Sequence, residues 1–182
     1  MVAACGHRTD ALSPREIVER MNATYASART YRDQGVAFVD EPFRWSLFKA
    51  FFGLRSLDRF STDFDRTRGS LVFAYDAMRV AGRLSEVPEQ LNAIRPISKG
   101  SSSFAPMLLL GDRADLPNAV REHDDGIHGV DCFVIRATNQ RGIEDTLWIE
   151  KRRFLIRRVR QKIRSRSASF TQTLDYQSVT TQ

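Results

Sequence analysis

After Thr30, several segments place apolar residues at every second position, and this period limits the possible fold more than any other feature. Residues 59–65 alternate in this way, and residues 70–76 repeat the pattern after a turn at 66–69. Alternation puts apolar side chains on one face of a strand, and strands joined by short turns are typical of antiparallel sheets. The sequence therefore predicts a mainly β, antiparallel fold. Further strands are predicted at 31–40, 78–84, 119–123, 131–138, 145–150, 154–162 and 167–176.

One helix precedes the strands, at residues 14–28. Ser13 suits the N-cap, Pro14 suits the first helical position, and Glu16 completes a capping box. Apolar residues follow at helical spacing and form one stripe: Ile17, Val18, Met21, Tyr25 and Ala28. We expect this amphipathic helix to pack on the sheet.

A central insertion interrupts the strands. A helix is predicted at 85–94, a flexible link at 100–103 and a short apolar helix at 104–110, with Ala105 on its outer side. A short helix this apolar has to cover something, and its link allows it to move. The insertion is therefore a candidate lid.

The basic segment 151–166 is the strongest charge feature of a chain whose net charge is +6. It holds nine Lys or Arg residues and no acidic residue. Docking to an anionic membrane surface is one interpretation, with four side chains on one face of a strand: Arg158, Arg160, Lys162 and Arg164. Nucleic-acid binding is the alternative, although few aromatic residues are interleaved to stack on bases. A solvated outer face is the third interpretation.

Catalytic and metal-binding signals are weak. The sequence contains no G-x-S-x-G motif, Walker loop or G-x-G-x-x-G motif. His123 and His128 flank a predicted turn at 124–126 without the Cys or Glu cluster that would complete a metal site. Cys132 lies within a predicted strand, where a buried structural thiol is favoured over a nucleophile. We therefore predict no catalytic group, no metal and no cofactor.

The first residues predict an exported chain. Val2, Ala3 and Ala4 precede Cys5 in the form of the small-residue box before a lipidated cysteine in bacterial lipoproteins. A chance run of small residues, or a Cys5–Cys132 disulfide, is the alternative. We expect residues 1–12 to form a flexible leader and residues 13–182 to form a single domain.

Three local patterns, in this order, resemble the periplasmic lipoprotein-sorting carriers of the Lol type. Their residues are Phe60 to Phe64 with Leu71 to Tyr75, Asp125-Gly126 with Cys132 to Ile135, and Thr146 to Glu150 with Leu155 to Arg158. The resemblance implies a half-open antiparallel β-barrel with an N-terminal helix and a central helical lid on its concave face. It also implies a non-catalytic protein that binds acyl chains of lipoproteins or lipids, in the periplasm or anchored to the outer membrane through Cys5.

An acyl site of this kind needs an apolar concavity and little polar chemistry, because each buried methylene contributes about 0.8 kcal/mol. The sequence offers eight residues for its lining: Phe60, Phe64, Leu71, Phe73, Tyr75, Met107, Leu108 and Leu110. The alternative is that the same residues fill a closed core. A basic module that binds nucleic acid or another polyanion remains the alternative function.

Overall fold

A computed structural model of the chain describes residues 12–40, 57–76, 78–88, 90, 104–138, 143–164 and 169–182. Two helices and ten strands have both bounds within these ranges, in addition to the helical residues 87, 88 and 90. Their bounds are α1 Pro14–Ser27, β1 Thr30–Asp40, β2 Leu57–Asp65, β3 Ser70–Tyr75, β4 Met78–Arg83, α2 Ala105–Leu109, β5 Val120–Arg121, β6 Asp125–Ile127, β7 Val130–Thr138, β8 Glu144–Glu150, β9 Ile156–Arg164 and β10 Ser169–Thr181.

All described strand pairs are antiparallel and belong to one sheet of ten strands. The strand order is β4-β3-β2-β1-β10-β9-β8-β7-β5, and β6 pairs with β7 beside that path. Because β4 and β5 lie at opposite ends of this order, the sheet is not closed. The predicted half-open antiparallel β-fold is confirmed.

Helix α1 begins as its sequence predicts. The Ser13 hydroxyl accepts the Glu16 backbone N–H at 3.3 Å, and the Glu16 carboxylate accepts the Ser13 backbone N–H at 2.8 Å. The apolar stripe of the helix is buried in the same cluster as the inner face of the sheet. The Tyr25 hydroxyl also accepts the Ile156 backbone N–H at 3.1 Å, which ties the helix to β9.

The predicted turn at 124–126 is wrong. Residues Asp125–Ile127 form strand β6, which pairs with β7 through Ile127 and Val130. The chain turns instead at His128 and Gly129, whose φ angles are 50° and 75°. A two-residue hairpin favours positive φ at both central positions, because that turn matches the twist of the flanking strands.

The other predicted elements differ from the structure mainly at their ends. The strand predicted at 119–123 is reduced to Val120–Arg121, and the last strand continues to Thr181. Residues 87, 88 and 90 of the helix predicted at 85–94 are helical, and the rest of that helix beyond residue 90 lies outside the described residues. Residues 1–11 of the predicted leader, with Cys5, and the link at 100–103 lie outside them as well.

The two faces of the sheet differ in what covers them. Helices α1 and α2 pack with the inner, concave face in one large cluster of buried side chains. On the outer, convex face, a smaller cluster lies beneath β6 and contains Ile127, Cys132, Val134 and Trp148. The concave face therefore carries the larger apolar surface. None of the described helices is long and apolar enough to cross a membrane.

Candidate functional site

The predicted apolar residues of β2 and β3 lie side by side on the concave face. In the strand register Phe64 is opposite Leu71, and Phe60 is opposite Tyr75. All five predicted strand residues, including Phe73, are buried in the large cluster. The hydroxyl of Tyr75 donates to the Asp58 carboxylate at 2.9 Å and so places a polar group at the edge of this surface. The structure thus brings together the strand half of the predicted site.

Helix α2 lies against the same surface. The ring of Phe104, directly before the helix, meets the ring of Phe73 edge-on with centroids 5.1 Å apart. Leu108 is only 1% exposed, while Met107 and Leu110 are partly buried against the cluster. All three predicted helix residues therefore contact the apolar surface. Ala105 is also fully buried, so its predicted position on the outer side of the helix is wrong.

Helix α1 forms a further wall that the predicted site did not include. Ile17, Met21 and Tyr25 are fully buried in the same cluster as Phe64. The helical spacing of these residues was visible in the sequence and predicted packing on the sheet. The spacing alone did not indicate against which strands the apolar face of α1 would pack.

The interior also contains a polar group that the sequence analysis missed. Asp33 is 3% exposed and accepts the Tyr31 hydroxyl at 2.8 Å. Burial raises the pKa of Asp33 to about 7, against the lowering effect of that hydrogen bond. The signal was present in the sequence, because Asp33 is in phase with Tyr31 and with Ala37 on one face of β1.

A second buried carboxyl lies farther along the inner face. Asp145 on β8 accepts the side-chain amide of Gln161 at 2.8 Å, and the two residues are opposite each other in the register. Burial raises the pKa of Asp145 to about 6. The concave surface is therefore apolar around β2 and β3 but contains buried carboxyl groups on β1 and β8.

The basic segment is less free than its sequence suggests. Arg157 is buried and contacts the Glu150 carboxylate at 2.6 Å, and Arg158 forms an ion pair with Asp175. Although burial raises the pKa of Glu150, hydrogen bonds from Arg153 and Arg157 hold it below its usual value. Glu150 directly precedes the basic segment in the sequence, whereas Asp175 comes from β10 and could not be found by a local search.

Arg160 and Lys162 are the remaining predicted docking residues with described side chains. They alternate on β9 with the buried Val159 and Gln161, so they lie on the convex face. Arg160 is exposed, with its guanidinium 5.1 Å from the ring centroid of Trp148. The side chain of Arg164 is outside the described part of the structure. The predicted docking residues and the predicted apolar site are thus on opposite faces of the sheet.

A groove on the convex face includes these two cations. Its volume is about 450 Å³. The lining residues are Phe38, Glu144, Thr146, Arg160, Lys162, Thr171 and Thr173. Most of them are polar, and Glu144 is opposite Lys162 in the register. This groove suits a polar or charged partner rather than an acyl chain.

The histidines and the cysteine have structural partners. His128 Nε2 lies 2.7 Å from the Asp175 carboxylate, and His123 is exposed. Cys132 is a buried free thiol whose pKa burial raises to about 11, as expected for a structural residue. Within the described residues, no group of three or more His, Cys, Asp or Glu side chains could hold a metal ion.

The fold and its apolar surface together define a class: an unclosed antiparallel barrel with helices on its concave face. No protein-family model and no curated protein matches this chain. Among solved structures, a LolA superfamily protein from Nitrosomonas europaea is similar at 11% identity and a TM-score of 0.33, covering 94% of each chain. LprF from Mycobacterium bovis is similar at 12% identity and a TM-score of 0.40, covering 91% of this chain and 93% of its own.

A putative outer membrane lipoprotein-sorting protein domain from Vibrio parahaemolyticus is similar at 10% identity and a TM-score of 0.36. The match covers 92% of this chain and 91% of that domain. Lol-type proteins are thus among the solved structures to which this chain is similar.

Proposed function

We propose that this protein is a non-catalytic carrier or acceptor of acyl chains, of lipoproteins or of lipids, in the bacterial cell envelope. The observation that carries the proposal is the single apolar cluster that α1 and α2 form with the concave face of an unclosed sheet. An acyl chain that enters between the helices and the sheet exchanges water for apolar contact along its length. At about 0.8 kcal/mol per methylene, one long chain supplies most of a useful binding energy.

In the structure, the protein's own side chains fill this position. Phe104 and Leu108 are buried against the strands, so an entering acyl chain has to replace their contacts with Phe73 and its neighbours. Replacement of one apolar contact by another costs little, because both remain out of water. The closed arrangement is therefore a reasonable ligand-free state of a carrier.

The length and the contacts of helix α2 are those expected of a lid. It has five residues, and isolated helices of that length are not stable in water. Burial of Ala105, Pro106, Leu108 and Leu109 therefore stabilises it against the cluster. An acyl chain that displaces these contacts therefore has to provide the apolar surface against which the helix then packs.

Delivery at a membrane is the second part of the proposal. Arg160 and Lys162 provide positive charge on the convex face, and Arg164 is the further docking residue in this proposal, whereas Arg158 is already paired with Asp175. Residues 13–182 form the binding domain in this proposal. The domain works in the periplasm, or at the outer membrane if Cys5 is lipidated.

Native mass spectrometry of the protein purified from a bacterial host tests the proposal directly. We expect additional mass that corresponds to bound lipid, removed by organic extraction and restored by incubation with a fatty acid. A protein that carries no lipid, takes up none after extraction and binds nucleic acid at physiological salt would instead favour the polyanion-binding function.

A further inference from the structure

Four buried oxygen atoms on the inner side of the sheet make no hydrogen bond of good geometry, and three of them lie on neighbouring strands: Asp33 Oδ1, Thr62 Oγ1 and the Tyr176 hydroxyl. Thr62 reaches Asp33 and the Ala105 backbone reaches Tyr176, but neither contact has the geometry of a full hydrogen bond. The fourth atom, Asp145 Oδ2, lies on β8. Asp33 is 3% exposed, Thr62 2% and Tyr176 0%. A buried polar atom without a partner costs about 1–3 kcal/mol, so folded proteins keep few of them. Three such atoms on neighbouring strands indicate a place for a polar group of a ligand.

The three atoms belong to one region of the structure. Their strands β2, β1 and β10 are direct neighbours in the sheet, and Thr62 is opposite Asp33 in the register. Burial raises the pKa of Tyr176, and the charge of Asp33 raises it further. The register agrees, because Tyr176 is opposite Gly35, two residues from Asp33 on the same face of β1.

Apolar side chains surround this polar region. The ring of Phe60 packs edge-on against Tyr176 with centroids 5.0 Å apart. Phe60 also lies over Gly35, where an added Cβ would be 2.4 Å from the ring. Helix α1 covers the region through Tyr25, whose ring centroid is 5.5 Å from that of Tyr31. The polar atoms therefore lie within the candidate acyl site.

The charges around Asp33 limit the chemistry of a ligand. One carboxyl oxygen, Oδ2, already accepts the Tyr31 hydroxyl, so Oδ1 remains as an acceptor. No Lys or Arg in the described part of the chain contributes to the pKa of Asp33. Above about pH 7, where Asp33 is charged, an anionic head group would therefore meet a carboxylate without a compensating cation, whereas a neutral N–H or O–H donor would be accepted. The test below is therefore made at pH 8.

We propose that Asp33, Thr62 and Tyr176 form a polar subsite that hydrogen-bonds the neutral head of an acyl compound. The ligand class is an acyl chain that carries a hydrogen-bond donor, either an amide N–H or a hydroxyl, rather than a free carboxylate or a simple ester. This inference rests on the proposed function, because the head group reaches Asp33 only when the acyl chain lies on the concave face.

Competition against a bound fluorescent apolar probe, N-phenyl-1-naphthylamine, tests the inference. Four competitors of equal acyl length are compared: palmitamide, monopalmitoylglycerol, methyl palmitate and palmitate. We expect the amide and the monoacylglycerol to compete about fivefold or more better than the methyl ester, as one hydrogen bond of about 1 kcal/mol predicts. If only palmitamide is preferred, the ligand of the subsite is an N-acyl compound. If monopalmitoylglycerol is preferred as well, the subsite accepts any neutral hydrogen-bond donor.

Two substitutions that keep side-chain shape, Thr62→Val and Tyr176→Phe, remove the unpaired oxygens. Each substitution removes one oxygen atom and keeps the rest of the side chain, so we expect both variants to fold. The preference is measured against the binding of methyl palmitate by the same variant. In each variant, palmitamide and monopalmitoylglycerol should compete little better than methyl palmitate. Thr180→Val on the exposed side of β10 is the matched control and should retain the full preference.

The outcomes separate this inference from the proposed function. If methyl palmitate binds as tightly as palmitamide, or if both variants retain the preference, the polar subsite is refuted while acyl binding stands. In that case enclosed water alone would satisfy the three oxygens. If no competitor displaces the probe, the proposed function fails and the subsite fails with it.

Discussion

Asp33 and Asp145 make the stability of the fold dependent on pH at the scale of single residues. Both carboxyl groups are buried on the concave face, and burial disfavours their charged forms. Glu150 behaves in the opposite way, because Arg153 and Arg157 stabilise its charged form. The same type of side chain thus has opposite effects, depending on whether a cation is within reach.

Asp33→Asn should remove most of the pH dependence that Asp33 gives to the free energy of unfolding. The pKa of Asp33 rises from 3.8 to about 7 on folding, so the folded protein binds more protons between these values. Its contribution to stability is therefore full below about pH 4 and is lost as the pH rises through 7. Chemical denaturation at several pH values should show a decline of a few kcal/mol across this window, at about 1.4 kcal/mol per pKa unit. The decline should be much smaller in the variant.

An exposed aspartate provides the control for this measurement. Asp131→Asn changes the same functional group on β7, where the side chain is in water. Its stability should follow that of the unmodified protein at every pH. If Asp33→Asn also follows that curve, the carboxyl group of Asp33 is charged at no cost in the folded protein, and the argument from burial is wrong.

At the scale of secondary structure, α2 is the element whose contacts decide between a lid and an ordinary part of the core. Leu108→Ala removes buried methyl and methylene groups and should lower the free energy of unfolding by about 2–5 kcal/mol. If the acyl chain takes this position, a saturating fatty acid stabilises the folded state and raises Tm. The increase should be larger in the variant than in the unmodified protein, because less of the protein's own apolar contact has to be displaced.

Leu57→Ala is the matched control for the α2 variant. Leu57 is 53% exposed, so its truncation should change stability by no more than about 0.5 kcal/mol. The increase in Tm with fatty acid should equal that of the unmodified protein. A fatty acid that leaves Tm unchanged in all three proteins would show that α2 covers a closed core.

The sequence predicted elements better than it predicted what they contact. Strand β2 and helix α1 followed from local patterns, because alternation and capping depend on residues close together in the chain. The partner of Arg158 did not, because Asp175 reaches it only through strand register. Asp33 could have been placed on the inner face from its phase with Tyr31. Whether its second carboxyl oxygen finds a hydrogen-bond partner, however, depends on Thr62, which lies opposite it on another strand.

At the scale of the whole molecule, the sheet separates two surfaces of different chemistry. The concave face is mainly apolar, with helices against it, and the convex face carries Arg160 and Lys162 beside a polar groove of about 450 Å³. This separation allows attachment to a membrane and uptake of an acyl chain to be altered independently. It also places the ion pair of Arg158 with Asp175 on the convex face as a structural contact.

The double substitution Arg160→Glu and Lys162→Glu tests whether the convex face docks on membranes. We expect weaker binding to vesicles that contain phosphatidylglycerol, because each cation near an anionic surface contributes about 1 kcal/mol. The loss should be greatest at low salt, since exposed charges are screened beyond about 10 Å at 0.1 M ionic strength. Acyl uptake should remain unchanged, because both residues lie on the face opposite the apolar site.

Arg79→Glu with Arg83→Glu gives the same net charge from exposed positions on β4. Both control residues also lie on the convex face, because they alternate with the inner Val80. If this control weakens vesicle binding equally, the attraction is not specific to Arg160 and Lys162.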